Sequence, residues 1–232
     1  MALRFVLGRA GSGKSAFCLE EIRRRLEQKP IGEPLIYLVP QQMSFQAEYE
    51  LTAKSGVKGT MRAQVFSFRR LAWKVLQETG GLSRIHIDSI GIKMALRRIL
   101  DKRGNELRVF GRAANRLGFT DQLEEMYCEL TRNGMTAEDL LHHKEALIRH
   151  SVEEPGFLAD KLHDMHIIYG ELEQYLADRY LDSEHYLPLL AERLEHSRYI
   201  QGAEIWADGF DSFTPQEMAV LRALLLYADH LP

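Results

Sequence analysis

The sequence predicts an α/β protein: a parallel sheet interrupted by a large all-helical insertion. Three observations predict it. Short apolar runs alternate with helical periodicity over the first 81 residues. That alternation stops from about residue 82 to 199, where helical periodicity runs with almost no strand signal. It returns at Glu204-Ile205-Trp206-Ala207-Asp208. The expected division is residues 1–81 with 200–232 for the α/β part, and 82–199 for the insertion.

The first apolar run, Leu3 to Leu7, reads as a buried strand. It runs into Gly8-Arg9-Ala10-Gly11-Ser12-Gly13-Lys14-Ser15, which fits G-x-x-x-x-G-K-[ST] at every fixed position. A helical pattern follows from Ser15 to about Leu26. Between strand and helix, such a loop wraps a nucleotide's phosphates. Glycines let backbone N–H groups turn inward, Lys14 reaches the β- and γ-phosphates, and Ser15 offers its hydroxyl to Mg²⁺. The helix N-terminus adds a favourable field for an anion.

Pro30 to Pro34 is a turn-rich break. Leu35 to Val39 reads as a second buried strand, stopped by Pro40. Gln41 to Ala53 is helical, with Met43, Ala47 and Leu51 at i, i+4, i+8. Lys54 to Gly59 is a polar loop. A third strand near Arg62 to Phe66 leads into a helix carrying Leu71, Val75 and Leu76, which ends near Gly80-Gly81. In the insertion, Asp88 suits the N-cap of a helix over Ile90 to Leu100. Further helical patterns cover about 107–117, 120–132, 136–149, 155–180 and 184–196, without a fixed repeat. After the returning strand, Thr214-Pro215-Gln216-Glu217 forms a capping box with Pro at N1, opening a helix to about Tyr227. Glu217 is thereby explained structurally. Asp208, at a strand's C-terminal end, is the candidate to orient Mg²⁺ across from Ser15. Three or four parallel strands would leave an uncovered edge, so the 232 residues read as the front of a longer protein.

The composition, 45% hydrophobic and 27% charged, is that of a globular chain. No apolar run approaches the ~20 residues a membrane span needs. Two cysteines, Cys18 and Cys128, both in helical patterns, suit buried thiols and a cytoplasmic setting. Residues 1–120 hold 22 Lys and Arg against 10 Asp and Glu; residues 121–232 hold 8 against 23. The basic half suits a polyanion, or the two halves attract each other. His142-His143 and His163-x-x-His166 with Asp164 sit at helical spacing without matching thiolates, which suits packing rather than metal ligation.

Val39-Pro40-Gln41-Gln42-Met43-Ser44-Phe45-Gln46, Gln64-Val65-Phe66-Ser67-Phe68-Arg69-Arg70-Leu71 and Asp208-Gly209-Phe210-Asp211-Ser212-Phe213-Thr214-Pro215-Gln216-Glu217, in this order after the phosphate loop, resemble the first lobe of superfamily 1 (UvrD-like) helicases. Within that group the chain resembles the AddB family, the second subunits of bacterial helicase–nucleases. The resemblance implies a P-loop NTPase sheet, the RecA-like lobe of such a helicase. It implies ATP and Mg²⁺, contact with single- and double-stranded DNA, an AddA-like motor and nuclease partner in a heterodimer, and a role in Chi-dependent recombination and repair. It implies single-stranded DNA contacts after the second and third strands. There Gln41, Gln42, Ser44 and Ser67 can bond phosphates and sugars, Phe68 can stack a base, and Arg69 and Arg70 can neutralise phosphate. Phe45 and Phe66 suit the core. An iron–sulfur cluster and a nuclease site are implied only for a C-terminal region outside this sequence.

One departure from the family pattern matters most. Active UvrD-like motors have Asp-Glu where this chain has Asp208-Gly209. Glycine has no proton acceptor, and general-base catalysis is worth about 10²–10⁴-fold. Asp211 is out of register to replace it. The expectation is a lobe that binds ATP without being the motor. The enzyme alternative is a competent P-loop ATPase or small-molecule kinase, and a third reading is an interaction scaffold.

Overall fold

The structure is a computed structural model that describes residues 2–52, 61–81, 84–114, 116, 118–150, 156–177, 179–228 and 230–231. The loop expected over Lys54 to Gly59 lies outside the described residues. The chain divides into two compact units, Met1–Gly81 with Tyr186–Pro232, and Leu82–His185.

The first unit opens with β1 (Ala2–Leu3), α1 (Lys14–Gln28), β2 (Leu35–Leu38), a 3₁₀ turn over Gln41–Met43, α2 (Ser44–Thr52), β3 (Ala63–Phe66) and α3 (Phe68–Thr79). The second unit holds β4 (Ile85–His86), α4 (Ser89–Arg103), α5 (Phe119–Arg132), α6 (Ala137–His150), α7 (Phe157–Leu176) and β5 (Tyr180–Leu181). The chain returns to the first unit through α8 (Tyr186–Arg193), β6 (Glu204–Ala207), α9 (Pro215–Tyr227) and β7 (His230–Leu231). The sequence drew the insertion to residue 199. In the structure α8 packs on α3 and α9, and so belongs with the sheet.

β1, β7, β6, β2 and β3 form one sheet in that order, with every pair parallel. All four residues of β2 are buried, which is why the sequence shows an unbroken apolar run rather than alternation. α1 lays Cys18, Leu19, Ile22 and Leu26 on a core with Leu35, Tyr37, Val39, Val65 and Trp206. Trp206 is fully buried and donates its indole N–H to Glu21 Oε2 at 3.2 Å.

Two expectations for the sheet are corrected. The run Leu3 to Leu7 is not a buried strand. Only Ala2–Leu3 is extended in the sheet, and Phe5 and Leu7 are 74% and 89% exposed. β1 is the outermost strand, so among the described residues no neighbour covers its far side. The sheet also has a fifth strand, β7, inserted between β1 and β6. Two residues are too few to carry a period. α2 differs too: Ser44, Ala47 and Leu51 face inward, which turns Phe45 outward to 79% exposure, while Phe66 is core as expected.

The helical unit has its own core, with Leu96, Leu100, Leu123, Ile168, Tyr169 and Leu172 at its centre. Asp88 caps α4 as expected, accepting from Gly91 N at 2.8 Å. The helix expected near 107–117 is absent among the described residues, which form a 3₁₀ turn over Phe110–Arg112. The cause is Asp164. Its fully buried carboxylate accepts three backbone N–H groups, from Arg108, Val109 and Phe110, each at 2.8 Å. Those donors are thereby diverted from any helical ladder. β4 and β5, unforeseen in the sequence, pair in parallel as a two-stranded ribbon.

The charge asymmetry resolves here as well. Lys93 pairs with Asp121, Lys102 and Arg103 with Glu171, Arg108 with Asp160, and Arg132 with Glu184. Lys93, Lys102, Arg103 and Arg108, from the basic half, thus meet acids of the other half inside one unit, while Arg132–Glu184 lies within the acidic half. His163 and His166 are packing residues, bonded through Nδ1 to Lys144 Nζ (3.2 Å) and the Ala137 carbonyl (2.8 Å).

A Tyr127–Asp182–His185 cluster, with Tyr127 and Asp182 buried and His185 partly exposed, adds a pH dependence. Asp182 accepts from Tyr127 Oη at 2.9 Å and pairs with His185 Nδ1 at 2.7 Å. The Asp182 hydrogen bond raises the His185 pKa, outweighing burial. Burial works against the Asp182 charge, but the His185 and Tyr127 bonds prevail and lower its pKa. A raised histidine stabilises the fold below its unfolded value of about 6.5 and loses that contribution as pH rises through the folded value. A lowered Asp182 keeps its contribution above about 3.9 and loses it on acidification. The stability lost in His185→Gln should therefore be largest between about pH 4 and 6.5 and fade in alkali. Urea melts across pH check this; a constant difference would contradict it.

Candidate nucleotide site and adjoining loops

All strands of the sheet run the same way, so the loops after β1, β2, β3 and β6 open at one edge. The phosphate-loop sequence follows β1. α1 begins at Lys14, with Gly13 at its N-cap in the left-handed region (φ +88°) and no side chain capping the first turn. No acidic residue lies in that turn, so its free N–H groups and positive dipole end stay available. Gly11 also has positive φ, +75°. A Cβ built at Gly11 or Gly13 would meet nothing within 4 Å. The glycines therefore meet a backbone requirement and leave the space beside them open. Lys14 Nζ donates to the carbonyls of Gly8 and Arg9, both at 2.9 Å. Ser12 and Ser15 are exposed.

Asp208 lies at the C-terminal end of β6, its N–H bonded to the Leu38 carbonyl at 3.0 Å. One strand, β7, separates β6 from β1, a lateral spacing of about 9–10 Å. The Asp208 carboxylate acts electrostatically on Cys18, one turn into α1. Burial first, then Asp208, pushes the Cys18 thiol up to about 11. Tyr37 of β2 donates its hydroxyl to Asp208 Oδ2 at 2.7 Å. Burial, then this bond, raises the Tyr37 pKa and keeps it a donor.

Gly209 follows in the left-handed region, φ +79°. A Cβ there would fall 2.6 Å from Met43 Sδ and 3.4 Å from Pro40 Cδ. A side chain at position 209 would thus meet two obstacles, a left-handed backbone and the Met43 thioether that it would have to displace. Glu217 is bound in the capping box with Thr214, and Asp211 is exposed.

The two loops after β2 and β3 meet. Ser67 caps α3 and donates to Gln41 Oε1. Ser44 Oγ donates to the Gln41 carbonyl at 2.8 Å. Both serines are buried, so their hydroxyls shape the turn. Phe68 is buried too, edge-on to Phe210 and Phe213 at 5.4 and 6.3 Å between ring centroids. Gln41, Gln42, Arg69 and Arg70 are exposed, and Arg70 pairs with Glu48 at 2.5 Å. The sequence reading used the half-buried Phe210 and Phe213 only as part of a motif run and did not foresee their packing on Phe68. It missed Tyr37 and Met43 because each reads as an ordinary core residue. Among the described residues, no group of His, Cys, Asp and Glu could hold a metal on its own. No helix of the described residues is long and apolar enough to cross a membrane.

The fold and the site define an α/β protein whose phosphate-loop sequence, acidic strand end and two polar loops gather at one edge of a parallel sheet. The family model described as "ADDB, N-terminal" matches residues 5–231, and the chain belongs to that family. It is 52% identical over 227 residues to the B subunit of the ATP-dependent helicase/deoxyribonuclease of Geobacillus kaustophilus (strain HTA426), covering 97% of this chain and 19% of the relative. The protein of the same name from Anoxybacillus flavithermus (strain DSM 21510 / WK1) is 48% identical over 231 residues, 100% of this chain and 20% of the relative. That from Bacillus cereus (strain ZK / E33L) is 49% identical over 227 residues, with 97% and 19% covered. The chain spans about a fifth of the length of these relatives.

Proposed function

We infer that this chain is the helicase-like N-terminal lobe of the AddB-type member of a heterodimeric ATP-dependent helicase/exonuclease, and that it holds ATP without being the motor. Its P-loop NTPase sheet would serve a cytoplasmic complex with an AddA-like partner, acting in double-strand-break repair and Chi-dependent recombination. The nuclease and any iron–sulfur cluster would belong to the remaining length of the protein.

Gly8 to Ser15 form the phosphate cradle in this reading. Lys14 leaves its two carbonyl partners for the phosphates, a like-for-like exchange of oxygen acceptors. Ser15 and Asp208 face the Mg²⁺, which when bound offsets the phosphate charge. Exposed Gln41, Gln42, Arg69 and Arg70 contact DNA phosphates and sugars, and Phe68 with Phe210 and Phe213 forms the apolar support beside them. The observation that carries the non-motor reading is Gly209: the residue after Asp208 has no base, a left-handed backbone and Met43 against it.

The test measures Mg·ATP affinity in the full-length protein and in Lys14→Ala, with turnover followed in the presence and absence of single-stranded DNA. Loss of a charge-assisted contact worth about 1.5–3 kcal/mol should weaken ATP binding roughly 10- to 100-fold in Lys14→Ala. Turnover should stay negligible. Brisk DNA-stimulated turnover by this protein without its partner would favour the competent-ATPase reading instead.

A further inference from the structure

We propose that Tyr37 and Met43 are positioning residues of the nucleotide site, and that Met43 makes nucleotide occupancy and the conformation of the Gln41–Ser44 turn interdependent. This rests on the nucleotide-binding reading above.

The Asp208-Gly209 turn is held from two directions. On one side Tyr37 Oη reaches Asp208 Oδ2 at 2.7 Å and fixes which carboxylate oxygen stays free to face a cation. On the other, Met43 and Pro40 lie so close to Gly209 that a Cβ on its α-carbon would have to push the Met43 thioether aside. Met43 is the last residue of the 3₁₀ turn that starts with Gln41 and Gln42. Its N–H is bonded to the Pro40 carbonyl at 2.9 Å, which ties the backbone that carries this side chain into the turn. That turn is bonded onward to the start of α3 through Gln41 and Ser67. A displacement of Asp208 toward a metal–nucleotide therefore carries Gly209 against, or away from, the turn that offers Gln41 and Gln42. Atoms in contact cannot interpenetrate, so a shift of Gly209 toward the turn must be taken up by Met43. The coupling is reciprocal: DNA seated on the turn must change nucleotide affinity by the same factor.

The experiment uses the full-length protein with a non-hydrolysable ATP analogue and a fluorescent oligothymidine. Analogue affinity is measured with and without Mg²⁺, and oligothymidine affinity with and without the Mg²⁺-bound analogue. Tyr37→Phe removes one atom from a group that orients a metal-facing carboxylate, a change that typically costs about 10-fold or more in metal affinity. Analogue binding with Mg²⁺ should weaken by that factor, and binding without Mg²⁺ should not. Equal weakening in both conditions would make Tyr37 merely structural and overturn its assignment. In the parent protein the analogue should change oligothymidine affinity by roughly 5-fold or more, within the usual range of coupling between sites. In Met43→Ala that factor should collapse to within about 2-fold of unity, with each ligand alone still binding. Coupling that survives Met43→Ala, or that is absent from the parent while the analogue binds, overturns the inference and leaves the nucleotide reading standing. Failure of the analogue to bind overturns both.

Discussion

Gly209→Glu, which restores the Asp-Glu pair of active motors, is expected to gain no turnover and to destabilise the protein. The left-handed backbone at φ +79° costs a residue with a side chain about 1–2 kcal/mol. The new Cβ must also displace Met43 from 2.6 Å, and overpacking of this kind costs about 1–3 kcal/mol. The combined loss of roughly 2–5 kcal/mol is a large share of a typical domain's stability. The carboxylate would sit on a turn already moved from its place, so the 10²–10⁴-fold contribution of a general base is not recovered. A chemical melt beside a steady-state ATPase assay with DNA checks both parts. Turnover rising a hundredfold in a variant of unchanged stability would show that the missing side chain alone had silenced the site.

The second large effect belongs to the helical unit. Asp164→Ala is expected to cost about 3–5 kcal/mol, because it strands three backbone N–H groups that the carboxylate satisfies and each such group costs about 1–3 kcal/mol. Partial relaxation of the turn keeps the sum below the upper limit. Hydrogen exchange should show lost protection at Arg108, Val109 and Phe110 and through α4, α5 and α7, which share that core. Unchanged protection of those three amides would mean that another acceptor takes over.

The α/β class was legible because it depends on local signals. A continuous apolar run marks β2, and a capping box marks the start of α9. What escaped depends on partners distant in sequence. β7 and the β4–β5 ribbon are two-residue strands created by their neighbours. The segment after Leu107 has helical periodicity, but its donors go to Asp164 more than fifty residues away. Tyr37 and Met43 read as core residues, and only the fold brings them onto Asp208 and Gly209. The absence of a glutamate after Asp208 was legible; the backbone conformation at that position was not.

The β4–β5 ribbon joins Ile85 to Tyr180 and His86 to Leu181, so the first and last strands of the helical unit are pinned side by side. In polymer terms the residues between them form a loop already tied at its neck. Tying such a loop costs an entropy that grows only logarithmically with its length, about 0.6 kcal/mol for each doubling. Insertions and deletions in the connections between the unit's helices should therefore be cheap while the neck holds, whereas those inside the helices would disrupt the packed core. Among relatives, changes of chain length should collect in those connections, and the register of the two neck strands should stay fixed.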